Sequence, residues 1–313
     1  MLENKYNWLV TGGAGFIGCH LVRRLLSEGQ AVSVLDDFSS GGMKNLEGLP
    51  ASLKIIRGDI RDRKTVKAAC SGVDYVLHHA ALVSVPESVA RPADTMDINV
   101  GGTANVLECA RAAGVKRLMF ASSSAVYGNG PDIPYREDAG LDDMQSPYAL
   151  SKQMGADLCR MYTGMYGLDT VVFRYFNVFG PGQNPDSPYS AVIAKFMDCA
   201  RLLRPVRIDW DGLQSRDFIY VEDVVDANIL AAFKGVPGEI YNVASGKTYS
   251  LLELLSLVEK VSGRRLERFF GPKRPGDVKI SSACIEKIRS IGFRPGTGLE
   301  RGLESMWKRS ADL

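Results

Sequence analysis

The strand-like run NWLV at residues 7–10 passes directly into TGGAGFIG and then into the helical HLVRRLLSEG. Gly12, Gly15 and Gly18 therefore stand three residues apart between a strand and a helix. Glycine permits a tight turn, close backbone approach to a pyrophosphate and close helix packing, while the N-terminal amides of the helix point at phosphate oxygens. In a chain with 32 glycines the spacing alone is weak, and its place between strand and helix carries the inference. A second strand run, AVSVL, leads into Asp36, 18 residues after Gly18. A carboxylate there can accept hydrogen bonds from the ribose hydroxyls of an adenosine and would repel a 2′-phosphate, which favours NAD over NADP. A glycine turn in some other α/β protein is the alternative.

The runs NWLVT, AVSVL, LKIIR, DYVLH, RLMFA and TVVFR alternate with longer helix-like segments to about residue 174. This alternation predicts an α/β fold, a doubly wound parallel sheet with helices on both faces. Beyond Arg174 the stretch FGPGQNPDSPYS reads as a long functional loop, after which helices dominate. In SLLELLSLVEKVSG, Ser250 and Glu253 form a capping-box pattern and Gly263 is the expected stop. The expected division is a dinucleotide-binding domain over 1–174, with a returning segment near 214–235, and a smaller α/β lobe over 175–213 and 236–313.

Charge excludes one class of partner. The formal net charge of +2 comes from 38 basic and 36 acidic residues without long blocks, so the footprint of a nucleic-acid binder is missing and any anionic ligand must be met locally. Six cysteines, tens of residues apart and with no Cys-x-x-Cys pair, read as reduced, mostly buried thiols of a cytoplasmic protein. The first strand begins by Trp8, leaving no expected room for a signal peptide, and no apolar run approaches the roughly 20 residues of a membrane helix. His78 and His79 follow each other on one strand and so point to opposite faces; with no third ligand at useful spacing, no metal is expected.

RLMFASSSAVYG reads as a buried strand ending in three serines, and the carboxyl ends of strands are where open parallel sheets bind ligands. Ser123 lies 25 residues before Tyr148 in SPYALSK, the one tyrosine of 12 with a lysine four positions on. Pro147 suits the first position of a helix, which sets Tyr148 and Lys152 one turn apart on the same face. A free phenol, with a pKa of about 10, is a poor base at neutral pH, and a nearby ammonium favours its phenolate. Each feature alone has a bland counterpart: serines satisfying loop amides, and a tyrosine and lysine on a wet helix face.

Together the motifs are more specific. TGGAGFIG, Asp36, GDI at 58–60, HHAA at 78–81, Asn99, the serines of 122–124 and SPYALSK resemble the extended short-chain dehydrogenase/reductase family. RYFNVFGPGQ, SRDFIYVEDV and KRPGDV continue the likeness toward its NAD-dependent UDP-hexose 4-epimerase branch, most like UDP-N-acetylglucosamine 4-epimerases. The resemblance implies a Rossmann-type sheet with a UDP-sugar lobe. It makes Tyr148 the acid and base on the sugar 4-hydroxyl, Ser123 its hydrogen-bonding partner, and Lys152 the anchor of the nicotinamide ribose. It places Gly12, Gly15, Phe16, Ile17, Asp36, Asp37, Asp59, Ile60, Ala80, Ala81 and Asn99 against NAD. It assigns Asn177, Ala191, Val192, Arg207, Asp209, Arg216, Arg274 and Asp277 to the UDP-sugar, with Ser84, Ser124 and Ser281 also on the substrate side. Arginine forks facing a diphosphate agree with bidentate phosphate binding.

Two departures refine the expectation. Val83 stands where many glucose/galactose epimerases carry a lysine, and the following Ser84 looks more like the N-acetylhexosamine branch. Ser124 and Ala125 stand where sugar 4,6-dehydratases of the family carry an Asp-Glu pair, which favours C4 epimerisation over a dehydratase or decarboxylase. Ser281 occupies a position that the family fills with either tyrosine or a small residue beside the sugar, so its size leaves room for a 2-acetamido group. A non-catalytic NAD-binding sensor or scaffold is the rival of another class, and such proteins usually lose the tyrosine or the lysine. A homodimer through helices near 95–113 and 148–166 is the expected assembly.

Overall fold

The computed structural model describes residues 4–141, 144–184, 192–273 and 278–309. Six strands follow the six predicted runs: β1 (Asn7–Thr11), β2 (Ala31–Asp36), β3 (Lys54–Arg57), β4 (Tyr75–His78), β5 (Arg117–Ser123) and β6 (Asp169–Tyr175). With Ile240–Val243 as a seventh strand they form one sheet, in the order β3, β2, β1, β4, β5, β6 and then the seventh. β1 pairs in parallel with β2 and β4, β2 with β3, and β4 with β5. This is the strand order of a dinucleotide-binding sheet, and the reversal between β1 and β4 creates the crevice where such sheets hold ligands. Burial follows position. All four residues of the central β4 are buried, whereas the edge strand β3 leaves Lys54, Ile55 and Arg57 exposed.

Helices α1 (Phe16–Ser27), α2 (Arg63–Cys70), α3 (Val85–Ala90), α4 (Pro92–Met96), α5 (Gly102–Ala112) and α6 (Pro147–Tyr166) accompany these strands, and a π-helical turn at Asp97–Gly101 joins α4 to α5. α6 starts as its sequence dictates. The Ser146 side chain accepts from the Ala149 amide, Pro147 occupies the first turn, and Gly167 ends the helix at φ 69°. Gly155 lets α6 lie close on the sheet, because a Cβ there would run into the Phe120 ring of β5. Leu9, Val76, Val106, Leu118, Ala156 and Val172 belong to the core joining strands and helices.

Contacts gather the chain into two units: Met1–Val126 with Ser146–Arg174 and Val225–Tyr241, and Tyr127–Gln145 with Tyr175–Val224 and Asn242–Leu313. Residues 127–145 thus group with the second unit, and the returning segment is 225–241 where the sequence reading placed it near 214–235. Among the described residues of the second unit helices supply most of the regular structure, as expected, and short strands that the sequence did not show accompany them. A three-stranded sheet has Ser215–Asp217 between Thr248–Ser250 and Ile280–Ser281, and a two-stranded one pairs Val206–Asp209 with Arg268–Gly271. Strands of two to four residues are too short for an alternating pattern to register. Helix Leu251–Ser262 has its capping box complete and Gly263 in the left-handed region, as the sequence implied. It packs Leu254, Leu255 and Val258 into a core with Ile193, Phe196 and Leu303.

Candidate active site

The glycine loop is built for backbone approach. Gly12 holds φ at +70°, and a Cβ on it would lie 2.7 Å from the Ala80 amide nitrogen; a Cβ on Gly18 would collide with the Gly12 carbonyl. Gly15 caps α1 without any side-chain hydrogen bond, and the first turn of α1 holds no acid. The amides of Phe16 and Ile17 thus open the helix with no carboxylate competing for them, a donor set that fits a pyrophosphate.

Asp36 ends β2 almost buried, at 8% exposure. Its Oδ2 accepts from the Ala14 amide at 2.8 Å and its Oδ1 from the Phe38 amide at 2.8 Å. Burial pushes this carboxyl above its ordinary range, against the two amides that lower it. Asp36 therefore braces the glycine loop while each oxygen keeps a further lone pair for a ribose hydroxyl. Asp37 is exposed and holds the Ser39 amide at 2.9 Å. Asp59 is gripped by the Arg61 guanidinium, which holds its carboxyl below the usual range. Ile60 is buried, and its carbonyl accepts from Asn105 Nδ2 at 2.7 Å. After β4, the Ala80 amide donates to Thr11 Oγ1 at 3.2 Å, and Ala81 is half-buried. Asn99 lies in the π-helical turn at 2% exposure. It accepts from the Leu82 amide at 2.8 Å and donates to the Leu82 carbonyl at 3.0 Å and to Ser151 Oγ at 2.9 Å. Both its amide hydrogens are thereby used in shaping the site.

The reactive side chains converge where β5 ends and α6 begins. The Tyr148 phenol comes up to the Ser123 hydroxyl, which favours its phenolate, and Ser123 Oγ accepts from the Ala125 amide at 3.2 Å. Lys152 is 3% exposed; its Nζ donates to the Ala121 carbonyl at 2.9 Å and lies 5.9 Å from the centre of the Tyr148 ring. Burial pushes this ammonium down to about 8. The expectation that Lys152 lowers the phenol pKa is corrected here: burial drives Tyr148 above 10, and the opposing influence is the Ser123 hydroxyl. The ammonium is aimed at the Ala121 carbonyl, so desolvation of the phenol outweighs its attraction.

Three further serines hold this geometry. Ser88, fully buried in α3, accepts from the Tyr148 amide at 3.1 Å. Ser151 donates to the Tyr148 carbonyl at 2.8 Å, and Ser122 to the Lys152 carbonyl at 3.2 Å. Ser122 and Ser151 lay inside motifs the sequence had singled out, but nothing local marked Ser88. Ser84 serves as the N-cap of α3, accepting from the Glu87 amide at 3.0 Å, and Ser124 begins a 3₁₀ turn after β5.

In the second unit the expected substrate residues fall into two groups. Arg216 is the register partner of Ser281 on one side and of Tyr249 on the other, and Asn177 Nδ2 donates to the Asp217 carbonyl at 2.8 Å. Fully buried Asp217 accepts from the Ser245 hydroxyl at 2.7 Å and the Gly246 amide at 2.9 Å, and burial raises it to about 6. Arg207 pairs with Asp209 at 2.8 Å on the separate two-stranded sheet. Val192 opens helix Val192–Leu202 and packs on the unit's core. Ala191, Arg274 and Asp277 lie outside the described residues.

Comparison with known proteins decides the family, because residues 8–244 match the model of the NAD dependent epimerase/dehydratase family. The chain belongs to this family. Its cofactor is NAD, and the Cβ-intolerant glycine loop and uncapped α1 fit that group. It is 37% identical over 300 residues to UDP-glucose 4-epimerase of Mycolicibacterium smegmatis, covering 94% of this chain and 95% of that protein. A UDP-N-acetyl-alpha-D-glucosaminuronate decarboxylase of Bacillus cytotoxicus is 33% identical over 331 residues, covering 98% and 99%. Among solved structures, the UDP-N-acetylglucosamine 4-epimerase of Methanobrevibacter ruminantium M1, in complex with UDP-N-acetylmuramic acid, superposes with a TM-score of 0.94 at 37% identity, covering 99% of this chain and 100% of that one. These similarities mark an NAD-dependent enzyme of the UDP-sugar 4-epimerase group.

Proposed function

We propose that this enzyme interconverts UDP-GlcNAc and UDP-GalNAc at C4 through a transient 4-keto sugar, with UDP-Glc and UDP-Gal as further substrates. The observation that carries the reading is the convergence of Ser123, Tyr148 and the buried Lys152 ammonium where β5 ends and α6 begins. Bound NAD would supply the chemistry of accepting a hydride from C4 and returning it. Tyr148 takes the proton of the 4-hydroxyl and gives it back, and Ser123 orients the phenol and shares the developing charge. Lys152, with its pKa near 8, is a cation at neutral pH and would hold the cofactor's ribose. Gly12, Gly15, Phe16 and Ile17 receive the pyrophosphate and Asp36 the adenosine ribose. Arg216 and Asn177 hold the UDP, with Ser281 beside Arg216 leaving space for the 2-acetamido group.

The decarboxylase relative favours a second reading, loss of a group from the keto sugar. Ser124 and Ala125, next to Ser123, supply no carboxylate for that chemistry, so epimerisation leads. The enzyme would act in the cytoplasm, in keeping with its six free cysteines. It would act as a homodimer, since Leu150, Met154, Met161 and Met165 leave an exposed apolar stripe along α6.

The test is turnover of both sugar pairs by the wild type and by Ser281→Tyr. Bulk at 281 is expected to slow the N-acetylated pair by about 10-fold or more while the hexose pair changes little. If the N-acetyl activity is untouched, Ser281 does not set the choice of sugar.

A further inference from the structure

A buried chain of hydrogen bonds leads from the glycine loop to the catalytic helix through His78, which no role so far uses. Thr11 ends β1, His78 ends β4, Thr103 lies in α5 and Asn99 in the π-helical turn, and none of the four exceeds 2% exposure. Thr11 Oγ1 lies 2.7 Å from His78 Nδ1, and His78 Nε2 lies 3.0 Å from Thr103 Oγ1. Thr103 in turn donates to the Asn99 carbonyl. The direction of each bond follows from the end, because a hydroxyl has one proton to give. Thr103 spends its proton on Asn99, so it must accept from the Nε2–H of a neutral His78. The bare Nδ1 then accepts from Thr11, which itself receives the His79 and Ala80 amides at 3.2 Å each. From Asn99 the path continues through its side chain to Ser151 and the carbonyl of Tyr148.

We infer that His78 is a positioning residue: through Thr103 and Asn99 it fixes the start of α6, and with it the Tyr148 phenol, relative to the NAD-binding glycine loop. This rests on the reading of Tyr148 as acid and base. The two arms of the imidazole can be separated. In His78→Gln the amide nitrogen stands where Nε2 stood and keeps the bond to Thr103, whereas in His78→Asn the amide oxygen replaces Nδ1 and keeps Thr11 alone. Thr103→Val cuts the same arm as His78→Asn from the other side without changing its volume much.

The experiment measures kcat and KM of the holoenzyme with whichever of UDP-GlcNAc and UDP-Glc the wild type turns over. It adds the NAD content of the purified protein and amide hydrogen exchange in the peptide 146–154. His78→Asn and Thr103→Val are expected to lower kcat by about 100-fold, the scale of a displacement near 1 Å at a reacting group. KM and NAD content should stay within about 2-fold, and exchange at 146–154 should rise about 10-fold as that turn loosens. His78→Gln should recover most of kcat, and the double variant His78→Asn with Thr103→Val should lose no more than either single one. Equal losses for Gln and Asn, additive losses in the double variant, or a loss carried by KM or by NAD content would overturn the relay. Should the wild type turn over neither sugar, the functional reading fails, while exchange at 146–154 in Thr103→Val still decides whether the arm holds α6.

Discussion

The two units solve their binding problems with different materials. In the first, parallel strands of four to seven residues end side by side, and side chains at or near those ends are fixed by hydrogen bonds to distant parts of the chain: Asp36 to the glycine loop, Asn99 to Leu82 and Ser151, and Lys152 to Ala121. In the second, four of the expected ligand residues sit on strands of two to four residues, Arg216 and Ser281 on one small sheet and Arg207 and Asp209 on another. The contrast separates what must stay constant from what can vary. Moving a proton at a fixed atom requires geometry set by backbone and buried hydrogen bonds, whereas under the proposed reading the choice of sugar would turn on one side chain of the right size on a short strand.

The sharpest way to break the contrast is pH, because the buried histidines of the first unit and the buried Asp217 of the second respond in opposite senses. Burial, reinforced by the nearby Lys152 cation, pushes His78 and His79 down to about 3. Their folded values lie below the unfolded one, so the unfolded chain binds protons that the folded chain refuses. The first unit therefore loses stability as pH falls from about 6.5 toward 3, by roughly 2 kcal/mol per histidine at pH 5. Asp217 is raised to about 6. It contributes stability to the second unit that is complete below its unfolded value near 4 and lost as pH rises through 6. Urea midpoints at pH 5 and pH 7.5 read this difference, with Trp8 reporting on the first unit and Trp210 and Trp307 on the second. Reporters that shift together in one direction would end the contrast.

Gly12→Ala comes next. The added methyl meets the backbone of His79 and Ala80 at a residue with φ +70°, and strain of about 2 kcal/mol should weaken NAD binding by about 30-fold. Binding of UDP to the second unit should be unchanged in the same titration. The smallest effect belongs to Ser250→Ala, which removes one side of the capping box on Leu251–Ser262. It should cost the second unit about 1 kcal/mol and leave the Trp8 transition in place.

Much of the first unit was legible in the sequence because its signals are local. Strand runs of mostly apolar residues, the glycine loop and Pro147 at the start of α6 each declare themselves within a few residues, as does the Ser250–Glu253 box in the second unit. The encounter of Ser123 with Tyr148 was legible as chemistry at a strand end meeting chemistry at a helix start. Hidden from view were contacts between residues far apart in sequence, such as Ser88 with Tyr148, 60 positions on, and His78 with Thr11, 67 positions back. Serine, threonine and histidine at such places look like ordinary core or loop residues until the fold brings them together. The direction of the Tyr148 shift was missed for a related reason: burial depends on the whole packed unit, while the lysine one turn away is visible in seven letters. The short strands of the second unit carry too few residues to show a period.

The most direct test follows the C4 stereochemistry of UDP-GlcNAc by proton NMR, with wild type and Tyr148→Phe at matched NAD occupancy. The wild type should produce the C4 epimer, and Tyr148→Phe should slow it by about 10²- to 10⁴-fold while still binding UDP. Full speed in the phenylalanine variant would contradict the account.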